Sequence, residues 1–241
     1  HFMGLFDKKY CDVCGEKIGL LGNRKLEDGN LCKECAKKLS PFFSERRNST
    51  VAEIKEQLAY REANLDKVAA FTPTKVIGGG MTLYFDEDKR QWLATRSRNW
   101  RDANPDVMDF SQVTGCTLDI DESRHELKHE DKEGNSVSYT PPRYEYSYDF
   151  NMTIHVNSPW FSEIRFQIND DEISQRGGAA YREAQTKADE IKELLTRVRD
   201  AEREAVLEAK APRQSVVCPF CHATTMPDAN GCCEYCGSPV R

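Results

Sequence analysis

The 241 residues include 34 Lys and Arg against 40 Asp and Glu, a net charge of −6, with 39% hydrophobic and 31% charged positions. That balance is too apolar for a disordered chain and has the wrong sign for a protein that coats polyanions. No apolar run approaches the roughly 18 residues of a membrane span. The opening His1-Phe2-Met3-Gly4-Leu5-Phe6 is too short for a secretory core and reads as a cloning remnant ahead of a native Met3, so a cytoplasmic protein is expected.

The first region, residues 8–48, is a four-cysteine module. Cys11 and Cys14 form one C-x-x-C pair, and Cys32 and Cys35 form a second after an Asp28-Gly29 turn. Two such pairs let four thiolates converge on a tetrahedral ion. Gly15 suits the tight turn of a metal knuckle, and a helix is expected from Ala36. Knuckle, hairpin and then a ligand-bearing helix is a treble-clef-like order.

Residues 49–72 read as a linking helix, with Val51, Ile54, Leu58, Leu65 and Val68 at helical spacing, Arg61 interrupting the stripe, and Ser49 or Thr50 as cap. From 74 to 175 the pattern turns to short strands: Met81–Phe85, Gln91–Thr95, Thr117–Ile120, Tyr144–His155 and Glu163–Ile168. Turn clusters at Asp86-Glu87-Asp88, Glu133-Gly134-Asn135 and Asn157-Ser158-Pro159 separate them. This predicts an antiparallel sheet, sandwich or barrel. Residues 176–211 form a long amphipathic helix whose stripe is Tyr181, Ala184, Ala188, Ile191, Leu195 and Val198, with Glu183–Lys187 and Glu193–Arg197 at four-residue spacing. Its far end is a candidate for self-association. Pro212 is expected to stop it.

Residues 212–241 carry Cys218, Cys221, Cys233 and Cys236, the spacing of a zinc ribbon. Cys232 is one residue too early for a C-x-x-C pair with Cys236 and is left as a spare thiol; His222 is an alternative ligand set aside as an exposed neighbour. The fold class is therefore α+β: a treble-clef-like zinc module, a central antiparallel β domain with a long C-terminal helix, and a terminal zinc ribbon. Two Zn2+ ions per chain are expected, each in a closed site with no open position for water, so the chain is expected not to be an enzyme. Both tetrathiolate sites would carry the net charge to about −10.

Two further patterns bear on chemistry. His125-Glu126-Leu127-Lys128-His129 matches H-E-x-x-H, the zinc peptidase signature, but that signature works only on a helix. Its surroundings are almost all charged and read as an exposed strand ending at Gly134-Asn135, which would hold the two imidazoles about 13 Å apart. Cys116 reads as a small hydrophobe beside a strand.

The run Gly19-Leu20-Leu21-Gly22-Asn23-Arg24-Lys25-Leu26 between the first two cysteine pairs, with Asp28-Gly29 and the later Leu58-Ala59-Tyr60-Arg61-Glu62-Ala63-Asn64, resembles a bacterial family known as domain of unknown function 4428, over residues 8–70. That resemblance implies a small zinc-binding domain of intracellular proteins and brings no activity. The strand-rich body with one C-terminal helix is similar in layout to pleckstrin-homology and GRAM domains. The function expected is a non-enzymatic, multi-module interaction protein whose partner is another protein. Nucleic-acid binding through the ribbon is the alternative, weakened by Arg213 and Arg241 being the only cations in residues 212–241. A zinc peptidase is the third reading.

Overall fold

The computed structural model describes residues 8–210 and 214–240; the Met3 start and the helix stop expected at Pro212 lie outside the described residues. The chain divides between Arg199 and Asp200 into two units.

In the first unit, β1 (Lys9–Tyr10) pairs with β2 (Lys17–Ile18), and β3 (Arg24–Lys25) pairs with β4 (Asn30–Leu31). The short helix α1 (Lys33–Lys37) follows at once, with Cys32 as its N-cap. Leu26, Leu31, Leu39 and Ile54 close a small core around Cys11 and Cys35. Gly29 is required by close approach: a Cβ there would lie 2.5 Å from Val51 Cγ2 and 2.7 Å from Asp12 Oδ2.

Helix α2 (Val51–Ala70) starts at a capping box, in which Thr50 Oγ1 accepts from the Glu53 N–H and the Glu53 carboxylate accepts from the Thr50 N–H. Such caps are worth about 1 kcal/mol. The face it buries corrects the sequence reading. Ile54, Gln57, Arg61, Asn64 and Val68 are buried, whereas Leu65 is 43% exposed. Arg61 does not interrupt the buried face; it is the centre of it, because partners on neighbouring segments meet Arg61, Asn64 and the Gln57 side-chain oxygen. Arg61 Nη1 meets Asp106 Oδ1 at 3.0 Å, Asn64 donates to Asn104 Oδ1 and the Pro105 carbonyl, and Gln57 Oε1 accepts from the Ser40 N–H.

A four-stranded antiparallel sheet follows in the order β5 (Lys75–Ile77), β6 (Thr82–Asp86), β7 (Gln91–Thr95), β8 (Met108–Asp109), with α3 (Trp100–Ala103) between the last two. A three-stranded antiparallel sheet comes next: β9 (Val113–Glu130), β10 (Ser136–Val156) and β11 (Glu163–Gln167), with β10 in the middle. The segments read as separate short strands at Thr117–Ile120 and Tyr144–His155 belong to one long hairpin. Pro141 and Pro142 are tolerated within β10 because they fall in the register shift between Ser138 and Arg143, where the ladder needs no N–H from them. The two sheets remain distinct, with no closed barrel among the described residues.

Helix α4 (Ala179–Lys210) buries Ala184, Ala188, Ile191, Leu194, Leu195 and Val198 against Leu83, Phe85 and Trp92 of one sheet and Phe150, Met152 and Ile164 of the other. The expected stripe is thus consumed within the first unit. Tyr181 meets Phe150 edge-on at 4.9 Å, and Arg197 reaches Glu87 at 3.3 Å. The second unit holds the end of α4 and the ribbon hairpin, β12 (Val216–Val217) with β13 (Thr224–Thr225). No helix among the described residues is long and apolar enough to cross a membrane.

Candidate metal centres

Three of the four C-x-x-C pairs sit on one repeated backbone turn. The N–H of Cys11 donates to the carbonyl five residues on, at Glu16, and the Gly15 N–H donates back to the Cys11 carbonyl. Cys218 does the same with Ala223 and His222, and Cys233 with Ser238 and Gly237. The residue after each second cysteine must take a left-handed conformation: φ is +76° at Gly15, +70° at Gly237 and +58° at His222. Glycine adopts this at no steric cost. His222 is therefore a turn residue, and its imidazole is outside both cysteine clusters.

The fourth pair is built differently. Cys32 caps α1, its Sγ accepting from the Cys35 N–H at 3.3 Å, and the Cys32 N–H points at Cys11 Sγ, also at 3.3 Å. The N-terminal centre thus combines one knuckle with one helix start, and the C-terminal centre combines two knuckles.

The sulfurs converge. Those of Cys11, Cys14, Cys32 and Cys35 all lie within 4.8 Å of one another, and so do those of Cys218, Cys221, Cys233 and Cys236. Cys14 to Cys32 is 3.7 Å, Cys218 to Cys236 is 3.5 Å and Cys221 to Cys233 is 3.7 Å. A disulfide would need about 2.05 Å. Four sulfurs at about 2.3 Å from a central ion form a tetrahedron with edges of about 3.8 Å. The spacing fits four-coordinate metal ligation, and each group could hold one ion.

Acid–base behaviour agrees with that donor set. Burial opposes ionisation of Cys11, but N–H groups of Cys14, Cys32 and Val13 donating to its sulfur bring the thiol down to about 6. Cys35 is pushed up by burial and then by its three thiol neighbours. In the other centre, donors on Ser238 bring Cys236 down to about 6. Cys221 goes up to about 12: the Ala223 N–H favours its thiolate, but burial and the thiols of Cys218, Cys236 and Cys233 outweigh that. Four thiolates packed this closely need a cation among them.

Residues 9–57 match the model of a family described as a domain of unknown function, DUF4428. The matched DUF4428 segment contains the whole N-terminal centre and ends at Gln57 within α2, short of the Leu58–Asn64 stretch. No curated protein and no solved structure is matched by the chain, so the likeness to pleckstrin-homology domains rests on layout alone.

The remaining candidates fall elsewhere. His125 and His129 lie in β9, so the helix a zinc peptidase needs is not formed and the two imidazoles stand about 13 Å apart along the strand. Cys116 packs beside the core, its Sγ 3.0 Å from Met152 Sδ, and burial raises its thiol to about 11. Cys232 bridges to Pro239 on the ribbon and is not one of the four converging sulfurs.

Proposed function

We propose that this chain is a non-catalytic, cytoplasmic interaction protein whose two cysteine centres hold structural Zn2+. The observation that carries the reading is the closed tetrahedron of sulfurs at each end. A tetrahedral all-sulfur set selects zinc or iron, and with all four positions filled by protein it leaves none for substrate or water. Zinc at such a site contributes folding free energy to segments too short to bury a core of their own.

Exposed apolar side chains on the zinc modules support the interaction role. Leu20 and Leu21 are 86% and 89% exposed in the DUF4428 segment, and Phe220 and Tyr235 occupy the same position of the two ribbon knuckles, 64% and 72% exposed. The same two aromatics would allow base stacking in a nucleic-acid reading. The described ribbon, residues 214–240, carries Asp228 and Glu234 and no Lys or Arg, so it lacks the phosphate contacts that dominate such binding. A protein partner is the better fit.

Thiol accessibility tests the zinc reading. In the native protein a thiol reagent should modify Cys232 quickly and Cys116 slowly, and a strong zinc chelator should then release eight more thiols. Immediate reaction of all ten without chelator would refute it.

A further inference from the structure

The hairpin of β9 and β10 outruns the sheet that supports it. β11 pairs with β10 only from Asn151 to His155, while β9 and β10 stay paired out to Glu130 and Ser136. Beyond Ile120 on β9 the side chains leave the core, and residues 121–130 are exposed or half-buried. A two-stranded ribbon by itself is marginal in water.

The ribbon's two edges are unlike. The β10 edge carries Pro141 and Pro142 at a register shift, features that block a further strand. β9 is the edge strand of its sheet, and it runs from Cys116 to Leu127 in unbroken register with no Pro and no Gly. Its charges alternate in sign at every second residue: Glu122, Arg124, Glu126, Lys128, Glu130. Period two places all five on one face, with Asp121, His125 and His129 on the other.

We propose that the outer edge of β9 pairs antiparallel with the same edge of a second copy of this chain, about a two-fold axis at His125. A two-fold axis normal to the sheet keeps each face with itself, so it must pass through a residue pair. Centred on Arg124 or Glu126, it sets like charges opposite one another, Glu122 against Glu126 or Arg124 against Lys128. Centred on His125, it sets Glu122 against Lys128 and Arg124 against Glu126, both pairs opposite in sign and each occurring twice. A centre at Leu127 also matches signs but pairs only residues 124–130, against 120–130 for His125, and a centre at Ser123 pairs more residues but gives a single kind of ion pair, Glu122 against Arg124. Arg124 is ordered within the hairpin, its guanidinium 4.5 Å over the Tyr144 ring of β10. Glu122 has a distant cation in Arg176 at 3.9 Å, and its carboxylate has room for a second. The H-E-x-x-H pattern is accounted for as the centre of a self-complementary edge strand.

Sedimentation equilibrium of the full chain tests the pairing. The wild type should sediment as a dimer that weakens as salt is raised. Lys128→Glu sets carboxylates opposite one another at two places and should weaken the dimer by about tenfold or more. The double substitution Glu122→Lys with Lys128→Glu restores opposite signs and should restore the dimer. Both positions are exposed, so folding is not at stake. A monomeric wild type, a dimer indifferent to Lys128→Glu, or failure of the double variant to recover would each overturn the proposal.

Discussion

Cys35→Ser is expected to remove one of the two proposed zinc ions and to unfold the N-terminal module while the sheet body stays folded. Cys35 is 6% exposed and sits with Cys11 inside a core of Ile18, Leu26, Leu31, Leu39 and Ile54. The strands around it are two residues long, too short to persist without an ion to tie them together. Structural zinc contributes on the order of 10–16 kcal/mol to such a module, and losing one ligand forfeits much of it. Limited proteolysis should then cut between Tyr10 and Leu39 and spare residues 74–199. The matching change in the ribbon, Cys233→Ser, should release the other ion and open residues 214–240. A Cys35→Ser protein that keeps both ions and resists protease would refute the ligand assignment.

Asp106→Ala is expected to cost about 3–5 kcal/mol, because it strands a buried cation. The Arg61 and Asp106 side chains are 7% and 0% exposed. Asp106 accepts from Arg61 on one oxygen and from the Ser40 hydroxyl on the other, at 2.7 Å, while Arg61 Nε donates to the Lys38 carbonyl. The pair thus fastens the end of the zinc module, α2 and the loop before β8 to one another. Urea unfolding followed by tryptophan fluorescence, with Trp92 and Trp100 in the cores on either side, reads the loss. Arg61→Met should cost a similar amount, and the double variant Arg61→Met with Asp106→Leu should cost less than the two single losses combined, since no charge is then left unpaired. A loss under about 1 kcal/mol for Asp106→Ala would mean that the network contributes no more than an exposed pair.

The features legible in the sequence were those whose signal is local. Cysteine spacing identifies the two converging groups because C-x-x-C encodes a turn as well as two ligands, and Gly15 and Gly237 mark that turn's left-handed residue. His222 occupies the same conformation without the glycine, so its role shows only in the backbone. The stripe of α4 is apolar throughout and predicts the face that is buried. The stripe of α2 does so only in part: Ile54 and Val68 are buried as expected, but Leu65 is not, and the rest of the buried face is Gln57, Arg61 and Asn64, whose partners lie 17 to 45 residues away in sequence. Hydrophobic periodicity has no access to such pairings. The length of β10 was hidden for the opposite reason: Pro141-Pro142 is a local signal for a break, and a register shift in the partner ladder absorbs it.

Elemental analysis of the purified chain tests the central claim most directly. Two equivalents of zinc and no iron is the expected result, with one equivalent lost in each of Cys35→Ser and Cys233→Ser. Zinc absent or replaced by iron would contradict a pair of structural zinc centres. A third equivalent, abolished by His125→Ala, would contradict the strand reading of the H-E-x-x-H segment and return the peptidase reading to the front.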